Sequence, residues 1–159
     1  MIKMQILPAE PKDIPIIRRL IEALADYEKL REECIITDED LNNWLFQTPK
    51  AKAVVCWQQG EPVGFALYFN NFSTFKGKPG IYLEDLFVKP EHRGKGYGKA
   101  LLKYLAKEAV DNGYARFEWS VLDWNQPSID FYESVGAKLM HEWKICRVDG
   151  QELLDLAKP

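Results

Sequence analysis

The sequence is poor in the residues that usually announce metal, redox or covalent chemistry. Three cysteines and two histidines stand among its 159 residues. Cys34, Cys56 and Cys146 are odd in number and far apart, matching no disulfide framework and no zinc-ligand spacing. They suggest a reducing compartment, so a cytoplasmic location and no metal are the expectations. None has a histidine beside it, which leaves an acyl-cysteine route without support. His92 and His141 read as surface or structural residues. No long apolar run lies near the start, so neither a secretion signal nor a membrane span is expected. Positive charge is not in excess: 21 Lys and Arg against 24 Asp and Glu leave a net charge of −3. That gives no reason to expect nucleic acid and fits a cationic ligand weakly. No internal repeat or low-complexity stretch is visible. What is present, 47% apolar and 28% charged residues, is ordinary for a globular protein. The length suits one domain, residues 1–159, with a real core.

The informative stretch runs from Ile81 to Gly113. An apolar run ending in Leu86-Phe87-Val88 predicts a buried strand. Leu101, Leu102, Leu105, Ala106 and Ala109 recur at helical spacing up to Asn112-Gly113. Between them lies Arg93-Gly94-Lys95-Gly96-Tyr97-Gly98, a turn that aims backbone N–H groups beyond the start of the helix. Such donors lack partners within a helix, and the macrodipole adds to them, so the place favours an anion. Two glycine fingerprints are missing. G-x-G-x-x-G fails because its last position falls on Lys99 or Leu101, and G-x-x-x-x-G-K fails because its first falls on Arg93. What remains is R-x-x-G-x-G.

Around this centre, Met4 to Leu7 reads as a strand. Ile14, Ile17, Leu20, Ile21, Leu24 and Tyr27 predict a helix ending near Leu30 to Glu33, and Thr37 caps a second short helix. Ala51 to Gln58 and Val63 to Phe69 read as a hairpin, Asn70 to Gly80 as a loop, and Arg116 to Val121 as a strand. Asn125-Gln126-Pro127-Ser128 starts a helix that stops at Gly136. Lys138 to His141 and Trp143 to Val148 read as two closing strands, followed by a tail helix from Gln151 to Ala157. The class is α+β.

The R-x-x-G-x-G turn between strand and helix resembles the pyrophosphate-binding motif of the GNAT superfamily of N-acetyltransferases, whose acyl donor is acetyl-coenzyme A. The element order is similar to that fold throughout. The resemblance implies a mixed, mostly antiparallel sheet flanked by helices and splayed between its fourth and fifth strands, with the thioester arm of the cofactor in the opening. Three segments narrow the likeness: Ala25-Asp26-Tyr27-Glu28, Tyr82-Leu83-Glu84-Asp85-Leu86-Phe87-Val88, and Trp124-Asn125-Gln126-Pro127-Ser128-Ile129-Asp130-Phe131-Tyr132. Together they look like the spermidine/spermine (diamine) acetyltransferases and their thialysine-acetylating relatives. The resemblance implies a cofactor site from Leu86, Phe87, Val88, Arg93, Gly94, Lys95, Gly96, Tyr97, Gly98, Lys99, Asn125, Gln126, Pro127, Ser128 and Tyr132. It implies an acceptor site from Tyr27, Glu28, Glu84, Glu118, Trp119 and Ser120, and a homodimer with that site near the interface. The residue types at 118–120 and the short loop after Gln58 depart from the mammalian pattern, which bears on the acceptor rather than the donor.

Acetyl transfer to an amine sets two demands. An alkyl ammonium with a pKa of ~10.4 reaches its neutral, nucleophilic form at pH 7 only at a cost of roughly 4.6 kcal/mol. A base or a desolvating pocket must help. The leaving thiolate, from a thiol of pKa ~8.5, needs a donor. Tyr132 is the expected donor, the alternative being a core aromatic like Phe131. Glu84 is the expected base, through a water. Alternation along the strand sends Glu84 and Asp85 to opposite faces, and Asp85 is read as structural. Backbone N–H groups of Leu86 to Val88 could serve the cofactor and the developing oxyanion. Tyr27 could present a ring face to an ammonium. The expected acceptor is a small cationic amine: polyamine, diamine or thialysine-like. Alternatives are a GNAT enzyme for another amine (amino acid, drug or protein N-terminus) and a non-catalytic acyl-coenzyme A–binding module.

Overall fold

The apolar alternation around residue 81 forms the strand on which the sheet is assembled in the computed structural model, which describes residues 3–159. The sheet has five strands in sequence order: β1 (Met4–Pro8), β2 (Lys52–Gln58), β3 (Glu61–Ser73), β4 (Lys78–Val88) and β5 (Phe117–Trp119). The first three junctions are antiparallel and β4–β5 is parallel. The mixed, mostly antiparallel α+β architecture is the expected one. The segment Asn70 to Gly80, expected as a loop, instead continues β3 and opens β4. Phe72 pairs with Pro79 and Asn71 with Gly80, leaving only residues 74–77 as the turn.

The chain divides into two compact units, one up to Ser120 and one from Val121 to Pro159. In the first, α1 (Ile14–Tyr27) carries Pro15 in its first turn, where a missing N–H costs nothing. It ends at Tyr27 because Lys29 turns to φ +62, so the helix is shorter than its apolar spacing suggests. Ile14, Ile17, Leu20 and Leu24 pack with Ala53, Val55, Phe65 and Phe87 on one face of the sheet. The next helix, α2 (Asp38–Leu41), is capped as expected: Thr37 Oγ1 accepts from the Asp40 N–H, and the Asp40 carboxylate accepts from the Thr37 N–H. The third, α3 (Tyr97–Asp111), buries Leu101, Leu102, Leu105 and Ala109. It lies on the other face, where the Tyr68 hydroxyl donates to Glu108 at 3.0 Å.

The second unit holds α4 (Gln126–Ser134) and α5 (Gly150–Leu156). Its stretch from Lys138 to Val148 forms neither expected strand. A strand is completed by its ladder, and none of the described residues pairs with this one. Met140, Trp143, Ile145 and Val148, whose apolar character suggested strands, are exposed.

Candidate active site

Both ladders of β4 break at Glu84. On one side the β5 ladder ends at Leu83, opposite Trp119. On the other, Leu67 faces Asp85 and Tyr68 faces Leu83, so Glu84 has no opposite residue on β3. This is a β-bulge, and it re-aims the side chains on either side of it. Beyond the last pair with β5, residues 84–88 of β4 have no strand partner on that edge among the described residues. The expected splay of the fourth and fifth strands therefore begins at residue 84, which leaves the backbone groups of Leu86 and Val88 on that edge unladdered. Phe87 itself is a core residue by side chain.

The bulge changes the reading of the acidic pair. Asp85 lies opposite Leu67, on the face of Phe65 and Phe87 that packs against α1. Burial pushes its carboxyl up to about 7, with the Glu84 and Glu28 charges adding to the effect. Glu28, which caps the C-terminal end of α1, is also raised, by burial and then by Glu84. The charges of Glu84 and Glu28 thus bear on Asp85, and that of Glu84 on Glu28, while the alternation of β4 is interrupted between Leu83 and Asp85. A carboxylate at the negative end of a helix, as Glu28 is, favours a cation beside it. Asp85, read as structural from the sequence, lies opposite Leu67. The acidic pair inside an apolar strand was the available signal, and only the bulge shows which member lies under α1.

A raised carboxyl has a sign. Asp85 holds its proton in the folded state and gives it up more readily unfolded, so its contribution to stability is complete below pH ~4 and is lost as pH rises through about 7. Between pH 5 and 8 the wild type is expected to lose on the order of 2 kcal/mol that Asp85→Asn does not lose, after allowance for partial exposure. Urea melts of both proteins at the two pH values check this; parallel curves would show that Asp85 is not the titrating group.

The glycine turn lies at the end of β4. Gly94 and Gly96 hold φ of +77 and +89, and a Cβ at either would meet no atom within 4 Å. Gly96 is the N-cap of α3 and offers no side chain to the first turn. The first intrahelical bond runs from Ala100 N–H to the Gly96 carbonyl at 3.0 Å. The N–H groups of Tyr97, Gly98 and Lys99 therefore precede the helical ladder, above open space. Unpaired donors at the head of a helix favour an anion. Lys95 and Lys99 are exposed beside it. Tyr97 sets its ring edge-on to His92, with centroids 6.2 Å apart. Arg93 does not reach outward alone. Its Nε donates to the Val88 carbonyl at 2.9 Å, and its guanidinium lies 4.6 Å from the Tyr27 ring centroid. One face of Tyr27 is therefore already covered by a cation.

The remaining expected acceptor residues are engaged at β5. Glu118 Oε1 accepts from Asn71 at 3.1 Å and pairs with Arg116 at 2.9 Å. Trp119 packs on Phe117 with centroids 4.9 Å apart. Ser120 and Tyr82 share a hydrogen bond of 2.7 Å between hydroxyls. In the second unit, the buried Asn125 caps α4, its side-chain oxygen accepting from Ser128 N–H at 3.3 Å. Gln126 donates to Asp130 at 2.6 Å, and Pro127 occupies the first turn. Tyr132 is half-buried on α4, its ring centroid 5.5 Å from that of Phe131. Burial pushes the Cys56 thiol up to about 11, the wrong direction for a nucleophile. Among the described residues no group of three or more His, Cys, Asp or Glu is arranged to hold a metal ion. No helix among them is long and apolar enough to cross a membrane.

Comparison with known proteins agrees with this geometry. A thialysine N-epsilon-acetyltransferase of Bos taurus is 39% identical over 161 residues, covering 94% of each chain. The L-ornithine N5-acetyltransferase NATA1 of Arabidopsis thaliana is 31% identical over 196 residues, covering 94% of this chain and 86% of that one. Among solved structures, an integron cassette protein from the mobile metagenome of V. cholerae superposes with a TM-score of 0.81 at 28% identity, covering 98% of both chains. Residues 17–137 match the acetyltransferase (GNAT) family, and with the R-x-x-G-x-G turn at the head of α3 and the sheet opening at Glu84, the chain belongs to that family.

Proposed function

We propose that this chain transfers an acetyl group from acetyl-coenzyme A to a primary amine of a small cationic acceptor, a polyamine, diamine or thialysine-like compound, by direct attack of the amine. The observation that carries the reading is the acidic pair Glu84 and Asp85 at the bulge of β4, with Glu28 at the end of α1, in the same unit as the glycine turn that heads α3. Bound at that turn, the coenzyme supplies an activated acyl thioester. The chain's own residues do the rest. The N–H groups at the head of α3 hold the diphosphate. Backbone groups of Leu86 to Val88 line the open edge of β4, and Asn125 to Ser128 flank the pantetheine arm. Glu84, exposed at the bulge, takes a proton from the ammonium through a water. Tyr132 donates to the departing sulfur. Glu28, Asp85 and Tyr27 hold the acceptor's charge, with Glu118, Trp119 and Ser120 bordering it.

The acceptors in the names of the thialysine and ornithine relatives are amines beside other charged groups, which supports a charge-reading site. We further propose that residues 1–159 act as a single domain, in the cytoplasm, as a homodimer. The exposed Trp143, Ile145, Leu154 and Leu156 support an apolar contact between copies, and sedimentation as a monomer would remove the dimer from this picture. A thiol-release assay with acetyl-coenzyme A tests the function across spermidine, putrescine, thialysine, ornithine and neutral amino acids. Turnover with the cationic amines is expected to exceed that with the neutral ones by about a hundredfold, as loss of buried charge pairing implies. Equal rates across the panel would reject the carboxylate site, and no thiol release at all would leave a coenzyme-binding module.

A further inference from the structure

Arg93 stands where two parts of the proposed site meet. Its Nε donates to the Val88 carbonyl at the end of β4, at 2.9 Å. Its guanidinium carbon lies 4.6 Å from the Tyr27 ring centroid and 5.3 Å from that of Phe87. Its own backbone is extended, at φ −73 and ψ 158, and leads directly into Gly94 at φ +77. One side chain therefore touches the last residue of α1 and two residues of β4, while its main chain opens the glycine turn. Phe87 is fixed in the core, 4% exposed; Tyr27, at the end of α1, is 36% exposed. Of the two rings, Tyr27 is the more exposed.

We propose that Arg93 is a positioning residue that ties Tyr27, on the acceptor side, to the shape of the turn at residues 94–99, so that the acceptor wall and the diphosphate cradle are set together. This rests on the acetyltransferase reading above. A guanidinium within about 6 Å of a ring centroid is attracted to the ring, and its planar face and Nε donor are features that lysine lacks. Removing the ring of Tyr27 takes away one of three holds on Arg93. The turn then samples more shapes, and the binding of a diphosphate must order it again. The coupling is reciprocal: whatever fixes the turn also fixes Tyr27.

Calorimetry with coenzyme A on five proteins tests this. In wild type the turn binds. Tyr27→Leu is expected to raise the dissociation constant roughly threefold to fivefold, although residue 27 is not in the turn. Tyr27→Phe keeps the ring and the wild-type constant. Arg93→Lys loses the Nε donor and the planar face that meets the two rings, and weakens binding about tenfold. The double variant Tyr27→Leu with Arg93→Lys binds no worse than Arg93→Lys alone, because the two residues act as one unit. Residue 27 is exposed at a helix end, so leucine keeps the fold; Tyr27→Gln carries the same expectation as a second variant. A wild-type constant in Tyr27→Leu and Tyr27→Gln, additive losses in the double variant, or an equal loss in Tyr27→Phe would each overturn the proposal while the acetyltransferase reading stands. No heat from the wild type would instead overturn that reading, and this proposal with it.

Discussion

Tyr132→Phe is expected to lower kcat by about tenfold or more while the affinity for coenzyme A stays within about twofold of wild type. The substitution removes one oxygen and leaves the ring, so packing beside Phe131 is kept. The α4 backbone is held by the Asn125 cap and by Pro127 in its first turn, neither of which involves the phenol. What changes is the proton. A thiolate that departs without a donor must carry its full charge unaided, and a hydrogen bond to it strengthens as the charge develops. Such an interaction exists in the transition state more than in the ground state, so its loss falls on turnover rather than on binding. Steady-state kinetics against an amine that the wild type acetylates, with calorimetry for coenzyme A, separates the two. Unchanged turnover would remove Tyr132 from the mechanism, and a large loss of coenzyme affinity would make it a wall of the binding site.

Gly96→Val acts earlier, on binding. Gly96 has φ of +89, a region that a β-branched residue occupies only at a cost of about 1–3 kcal/mol. No protein atom lies within 4 Å of a Cβ built there, so the new side chain meets no wall of its own protein and projects into open space above the turn. Two effects then act together. The chain relieves its strain by rotating the amides that begin α3, and the valine methyl groups stand where the diphosphate would rest. The dissociation constant for coenzyme A is expected to rise by about thirtyfold or more. Gly113→Val is the control. Its φ is +71 with the same open surroundings, but it lies past the end of α3. Both variants should melt at lower temperature, and only the first should lose coenzyme. Equal coenzyme binding in the two would separate residues 94–99 from the diphosphate.

The sequence was most legible where one signal sufficed. Leu101, Leu102, Leu105 and Ala109 are buried on α3 as their spacing requires, because a helix makes its hydrogen bonds within itself and only has to choose a face. Asn125 and Thr37 cap their helices for the same local reason. Legibility failed where a residue's meaning depends on a distant strand. Pro79 and Gly80 read as loop punctuation, yet both lie in a ladder. A Cβ on Gly80 would come within 2.6 Å of Asn71 Oδ1 and 2.8 Å of the Arg116 carbonyl, so the glycine marks a close approach rather than a bend. Met140 to Val148 failed in the opposite sense, carrying strand-like residues without a strand to meet. In the site, the acidic pair was visible as an anomaly. Its division of labour was not, because the burial that raises the Asp85 carboxyl, with Glu84 and then Glu28, 57 positions earlier, adding to it, depends on packing and on a bulge that no alternation rule contains.

That extra residue has a consequence for how the chain tolerates change. Excising position 84 would make Leu83 and Asp85 consecutive neighbours of Tyr68 and Leu67, the spacing of an uninterrupted antiparallel pair. No apolar side chain would be sent to the wrong layer. A chain shortened there should still assemble its core, so the packing of the sheet does not by itself require a residue at that point.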